Sequence, residues 1–487
     1  MSDNLSQPSS AVLLAEEQVK AQSQVLGKPL GVSDLVFTQI LFIVGFSWVG
    51  IAAKLGPSQC VYWLLAVLLF YVPSAVVVIY LAKLMPIEGG LYQWAKFGFN
   101  DFTGFFVAWN LWLFTLVITS EIGLVAATNL SYALGARADW MAGDKGFISL
   151  MAFLILGSIA VVSIRGLGVG KWIHNVGGFV LVAVFGALIV LPFIQSSHTS
   201  AIRAYHSLAL TMPPVSLFSL NILGKMGFGA LGGIEYVAIL AGESRAPERS
   251  IGRSVAIAAP IIALMFILGT AGVLAFVGPE DVDLIGPIPQ VLSLGTRSFG
   301  IGSQMVPIVI LLLLGSRVAQ ASVNFIGSSR MPLVAGWDHL LPAWFTRLHP
   351  RFHTPVNSIL FAAAMMITLA VVVIVGVGQQ EAYQLLENCS AGFYSLTYLV
   401  MFAIPLFGWK KIATRPPPLS LRIAALSGFL MTLLFIVFSM IPVVPVASKI
   451  LFTAKILGTL VGATAIGALI YKTATLRTSR ATERTMP

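Results

Sequence analysis

Ser33–Gly56 reads SDLVFTQILFIVGFSWVGIAAKLG, and Ser216–Glu243 reads SLFSLNILGKMGFGALGGIEYVAILAGE. Each is apolar and long enough to cross a bilayer, which takes roughly 20 helical residues for about 30 Å of hydrocarbon. Each also carries glycines near its middle: Gly45 and Gly50 in the first, and Gly227, Gly229, Gly232 and Gly233 in the second. Lipid offers the backbone no hydrogen-bond partner, so an interruption there is tolerated only where neighbouring helices or a solute satisfy the freed groups. A half-helix that begins at mid-membrane points N–H groups and a positive dipole end at an anion, and one that ends there offers carbonyls to an ammonium or Na⁺. A zwitterion suits both. Glycines in membrane helices also serve close helix packing. A matched pair of interruptions, however, is the mark of an inverted repeat with a midplane binding site.

The rest of the chain supports a membrane setting. It is 57% apolar and 10% charged over 487 residues, with a mean hydropathy of +0.91, whereas a soluble domain carries roughly a quarter charged residues. The net charge of +10 comes from Lys and Arg scattered between apolar runs, with no compact basic domain for nucleic acid. Twelve apolar stretches centre near Ile43, Leu69, Leu116, Leu156, Leu181, Leu231, Leu264, Leu313, Met366, Leu396, Leu433 and Gly462. An all-α polytopic membrane protein of about twelve transmembrane helices follows. With both termini cytosolic, twenty Lys and Arg fall on inner segments and seven on outer ones, as the positive-inside rule requires. Trp63, Trp94, Trp109, Trp112, Trp140, Trp172, Trp337, Trp344 and Trp409 fall toward span ends and are expected as interfacial anchors; Trp48 lies well inside a span. The polar segment 1–30 lacks the pattern of a secretory signal and is expected as a cytosolic tail. Cys60 and Cys389 suggest helix packing, and no metal or cofactor is expected.

Three motifs, in order, then narrow the class. They are MPIEGGLYQWAKFGF (Met85–Phe99), GIEYVAILAGESRAPERSIGR (Gly233–Arg253) and NFIGSSRMPLVAGWDHLLPAWFTRLHPRFHTP (Asn324–Pro355). Together with the span count, the chain from Gly31 to about Tyr471 resembles the amino acid-polyamine-organocation (APC) superfamily. The second motif resembles that family's sixth-span signature, with Glu235, Glu243, Pro247, Glu248 and Arg249 at the matching positions. The resemblance implies a LeuT-type five-plus-five inverted repeat with broken helices one and six, plus two extra helices. Residues 31–195 and 215–408 would be the two repeats, 423–471 helices 11 and 12, and 472–487 a cytosolic tail. It also implies a substrate held by Gly45, Phe46, Ser47, Trp48 and Gly50 with Phe228, Gly229, Gly232 and Gly233. Many members carry Gly-Ser-Gly in span one. Here Phe-Ser-Trp-Val stands between Gly45 and Gly50, so a polyamine or other organic amine remains an alternative to an amino acid.

Ionisable groups at bilayer depth are costly and mark function or pairing. Glu235, just past the sixth-span break, is the candidate for proton coupling: a carboxylate there can take up a proton on one side and release it on the other. The glutamate that the family's arginine/agmatine exchanger carries at this position implies the same role. The competing reading is a structural carboxylate bonded to the span-one backbone. Arg317 and Asn324 share a helix face at i and i+7, and Asn324 matches a position that contacts the substrate side chain in the family. Arg317 either faces the substrate or pairs with Glu121. Lys225 is expected near the outer surface, snorkelling. The span-five lysine that replaces sodium in some members is absent from His174–Val190, so a proton is the first choice as coupling ion, with sodium left open and Ser322 a candidate contributor. No cluster of catalytic groups at one depth argues for a membrane-embedded enzyme. The expected function is secondary active transport in the cell membrane, by symport or exchange, with a transporter-like receptor or channel as the alternative of another class.

Overall fold

The computed structural model describes residues 8–9, 31–85, 90–165, 170–196, 208, 210–212, 215–239, 247–296, 302–334 and 340–485. Most of the amino-terminal tail, together with Glu243 and Trp337, lies outside the described residues. The first span is two helices, α1a (Val32–Ile43) and α1b (Phe46–Ala53), bent by 50° across Val44 and Gly45. There follow α2 (Gly56–Leu84), α3 (Asp101–Leu134), α4 (Lys145–Arg165) and α5 (Gly170–Ser196). The sixth span starts as α6a (Leu217–Gly224), widens into a π-type turn over Lys225–Ala230, opens at Gly232 and resumes as α6b (Tyr236–Ile239). The chain ends with α7 (Pro247–Phe276), α8 (Gly302–Val334), α9 (Val356–Val373), α10 (Gln379–Ala403), α11 (Leu419–Phe438) and α12 (Lys449–Thr485). Ten of these are long and apolar enough to cross a membrane unbroken, and the bent α1 pair makes an eleventh. The interrupted sixth segment, expected as a further span, is not among the described helices long and apolar enough to cross.

Local chemistry sets where the helices begin. The Gly31 amide donates to Asp34 Oδ2 at 2.9 Å and opens α1a, while Asp34 Oδ1 accepts from Asn175 Nδ2 of α5 at 2.9 Å. Asn100 caps α3 by accepting from the Thr103 amide. Ser216 and Ser219 exchange side-chain and backbone bonds at the start of α6a. Each cap satisfies N–H groups that have no partner within their own helix.

The centre is built from α1, α3, α6, α8 and α10, with α3 packed along α10 and α8, and α1 held between α5 and α7. Outward faces carry Leu68, Phe153, Phe179, Val372 and Val461, all more than half exposed. So much exposed apolar surface has no place in water and fits a lipid boundary. The tryptophans depart from expectation. Trp63 and Trp94 are fully buried: Trp63 stacks on Phe266 and donates to Thr270 Oγ1, and Trp94 donates to the Met85 carbonyl. Trp109 and Trp112 are buried as well, donating to Ala463 O and Ser328 O. An indole satisfies its N–H as well on a neighbouring helix as at a headgroup. Among the described residues, Trp140 and Trp344 are the exposed tryptophans, at 56% and 55%.

Candidate functional site

The two breaks expose backbone groups and the neighbouring helices meet them. At α1, the helix ends as the Val44 amide donates to Ile40 O. The nearby carbonyls of Leu41 and Phe42 accept from Gln320 Nε2 of α8, at 2.7 and 3.2 Å. Gly45 is extended, and α1b begins at Phe46 with first amides that have no helical carbonyl to reach. At α6, the Gly232 amide donates to Phe228 O, and Gly233 adopts φ +124°, which L side chains rarely take. The Gly233 amide donates to the Tyr398 hydroxyl at 2.7 Å. Gly229 permits the close approach of the broken segments: a Cβ there would lie 2.4 Å from the Trp48 indole.

Between the breaks lies a cavity with about 70 Å³ of space for water centres. Its wall is drawn from α1, α3, α6, α8 and α10. Phe42, Phe114 and Tyr394 give it an aromatic rim, with Phe114 stacked on Tyr394 at 4.3 Å and Phe42 backed by Tyr236 at 4.1 Å. Of the residues expected at the site, Gly45, Ser47, Trp48, Phe228, Gly229, Gly232, Arg317 and Asn324 line this cavity. Phe46, Gly50 and Gly233 do not. Phe46 turns away to Phe185 and lies under the Arg317 guanidinium, 5.1 Å from ring centre to Cζ. Gly50 faces Pro287 and Val282, and Gly233 packs on Phe42 and Ile43. On a helix only one face meets the cavity, so neighbours within a motif divide between contact and support.

The charged groups hold further findings. Arg317 meets both alternatives at once: Nη2 donates to Glu121 Oε1 at 2.6 Å, Nη1 donates to Gln320 Oε1, and the residue still lines the cavity. Lys225 does not snorkel. It is 1% exposed, with Nζ donating to Asn388 Oδ1 and interacting electrostatically with Glu387. Glu235 is off the cavity wall. Its carboxylate accepts from the hydroxyls of Tyr394 and Tyr398 on α10, and Tyr394 lines the cavity. Gln320, Tyr394 and Tyr398 were missed in sequence, and so was a charged residue, Glu387, which lines the cavity while Oε1 accepts from Ser47 Oγ at 2.6 Å. Its signal was present: Glu387 and Tyr394 stand seven residues apart on α10, the spacing already used for Arg317 and Asn324 on α8.

The chain resembles known transporters along most of its length. It is 25% identical over 387 residues to an uncharacterized transporter of Legionella pneumophila, covering 77% of this chain and 80% of that one. A probable agmatine/putrescine antiporter of Lactococcus lactis is 22% identical, covering 86% and 87%. The aromatic amino acid transport protein AroP of Corynebacterium glutamicum is 24% identical, covering 61% and 64%. The amino acid permease family profile matches residues 30–462. With that match over a bundle of membrane-crossing helices and a cavity at two helix breaks, the chain belongs to the amino acid permease family and is a multi-pass membrane transporter.

Proposed function

We propose that this protein carries an amine-bearing solute, an amino acid or a polyamine, by alternating access through the cavity between the α1 and α6 breaks. One observation carries the reading: the cavity meets Gly45, Ser47 and Trp48 from one interrupted helix and Phe228, Gly229 and Gly232 from the other. A carboxylate is suited to the first amides of α1b and an ammonium to the carbonyls that end the first half of α6. The names of two relatives, a probable agmatine/putrescine antiporter and an aromatic amino acid transport protein, fit the same solute chemistry. Residues 31–195 and 215–408 act as the two halves of an inverted repeat, and both termini face the cytosol of a cell membrane, in keeping with the excess of inner Lys and Arg.

Glu235 is the proton-responsive group. Its link to the solute runs through Tyr394, which touches both the carboxylate and the cavity. Purified protein in liposomes is expected to show saturable uptake and counterflow of an amino acid or amine. Absence of both across a panel of such solutes would sink the transport reading. Glu235→Gln is expected to flatten the pH dependence of initial uptake while solute binding persists; a variant with the wild-type pH profile would reject the coupling role.

A further inference from the structure

Resting on the transport reading above, we infer that the solute is a small zwitterion of no net charge, a neutral amino acid and not a diamine, and that Lys225 sets this choice from behind the cavity wall. The inference comes from pairing the charges around the cavity. Three charged side chains line it: Glu121, Arg317 and Glu387. Glu121 is taken by Arg317, Oε1 to Nη2 at 2.6 Å. That leaves Glu387, which as a lone carboxylate would hold a second ammonium. It is not alone. Lys225 does not line the cavity and is 1% exposed; it comes from the end of α6a, donates through Nζ to Asn388 Oδ1, and acts electrostatically on the adjacent Glu387. Its remaining charged-group contact is with a ring, Phe435 of α11, 5.9 Å from Nζ to ring centre. Glu235 offers the solute no contact, since it stands behind Tyr394 and Tyr398 with both oxygens engaged by their hydroxyls.

Arg317 and Lys225 thus balance Glu121 and Glu387, and what remains for a solute is the pair of helix breaks. A solute at this depth must bring its own balance, because an unmatched charge away from water is costly. A zwitterion does so, with its carboxylate at the first amides of α1b and its ammonium at the α6 carbonyls. A diamine brings two positive charges, and the positive end of α1b opposes one of them. The aromatic rim does not choose, because a ring face accepts an alkyl group or a cation alike. The ion pairs do. With about 70 Å³ of space for water centres, the cavity suits a short side chain. Lys225 is therefore a positioning residue: it acts through Glu387, supplying from within the protein the ammonium that a dibasic solute would bring.

Norvaline and 2,4-diaminobutyrate test this, since they match atom for atom except that an ammonium replaces the terminal methyl; 1,4-diaminobutane joins them as the diamine. Binding is measured by thermal stabilisation of the purified full chain, and by competition in liposome uptake. Norvaline is expected to bind at least about tenfold more tightly than either dibasic compound, the factor that 1.4 kcal/mol gives. In Lys225→Gln, Glu387 is released and the ratio is expected to fall to one or to invert in favour of 2,4-diaminobutyrate. Removing both charges in the Lys225→Gln, Glu387→Gln double variant is expected to return the preference to norvaline, a reversal that loss of packing alone would not produce. Equal or tighter binding of a dibasic compound to the unmodified protein overturns the inference, and that comparison needs no variant to fold. A ratio the same in Lys225→Gln as in the unmodified protein overturns the role of Lys225. Either result leaves the transport reading standing; failure of every amino acid and amine to bind or move removes that reading and this inference with it.

Discussion

At the α1 break, the carbonyls of Leu41 and Phe42 are met by Gln320, which is oriented by Arg317, which in turn is paired with Glu121. At the α6 break, the Gly233 amide and the Glu235 carboxylate are met by Tyr398 and Tyr394 of α10. One break is therefore tied down by a chain of amide and ion-pair contacts from α8 and α3, the other by two phenols from a single helix. The difference bears on what each break can tolerate. An ion pair at depth needs both charges. A phenol donates to a carboxylate and accepts from a carboxylic acid equally well, so the α6 contacts survive the arrival of a proton on Glu235. On the proposed reading, the α1 side holds position and the α6 side responds.

The comparison breaks most visibly at Arg317. Arg317→Ala leaves Glu121 buried and uncompensated and frees Gln320 from its orientation, and such losses cost about 3–5 kcal/mol. A large fall in the thermal midpoint of the detergent-purified protein is expected, with partial recovery in the Glu121→Gln, Arg317→Gln double variant, which removes both charges. An unchanged midpoint in the single variant would mean that the α1 break is not anchored through α8. On the α6 side, Tyr398→Phe removes one donor to Glu235 and the acceptor of the Gly233 amide, an expected loss of about 1–3 kcal/mol. Its distinguishing result is functional: the pH profile of uptake is expected to move in this variant. A profile identical to wild type would place proton response elsewhere than Glu235.

How much of this was legible in the sequence follows from the kind of signal each feature leaves. Long apolar runs and the placement of Lys and Arg report on the lipid boundary, and they gave twelve segments because lipid acts on every span alike. The glycines marked both breaks, since Gly45 is the last residue before α1b and Gly232 and Gly233 stand where α6 opens. Side-chain direction leaves no such mark. Phe46 and Gly50 sit within the same motif as Ser47 and Trp48 and face other helices. Glu387 escaped because the first half of α10, QQEAYQLLENCS, is polar enough to read as a loop, yet nearly all of it is buried against other helices. Hydropathy measures contact with lipid, and this segment touches protein instead. The buried indoles of Trp63 and Trp94 escaped for a related reason, since an interfacial position and a packed one look the same along the chain.

Ser47 offers the smallest and sharpest test of the contrast, because it belongs to the α1 break yet contacts α10. Its hydroxyl donates to Glu387 Oε1 while facing the cavity. In Ser47→Ala that oxygen loses its donor, but the cavity admits water, and water replaces a hydroxyl at modest cost. The expected loss is about 0.5–1.5 kcal/mol, well below that of Arg317→Ala, and Ser47→Thr is expected to restore it because the hydroxyl returns. Thermal midpoints of the three variants, measured side by side, decide the matter. If Ser47→Ala cost as much as Arg317→Ala, the α1 break would be anchored to α10 as firmly as to α8. The division between a fixed α1 side and a responsive α6 side would then lose its basis, since one helix would hold both.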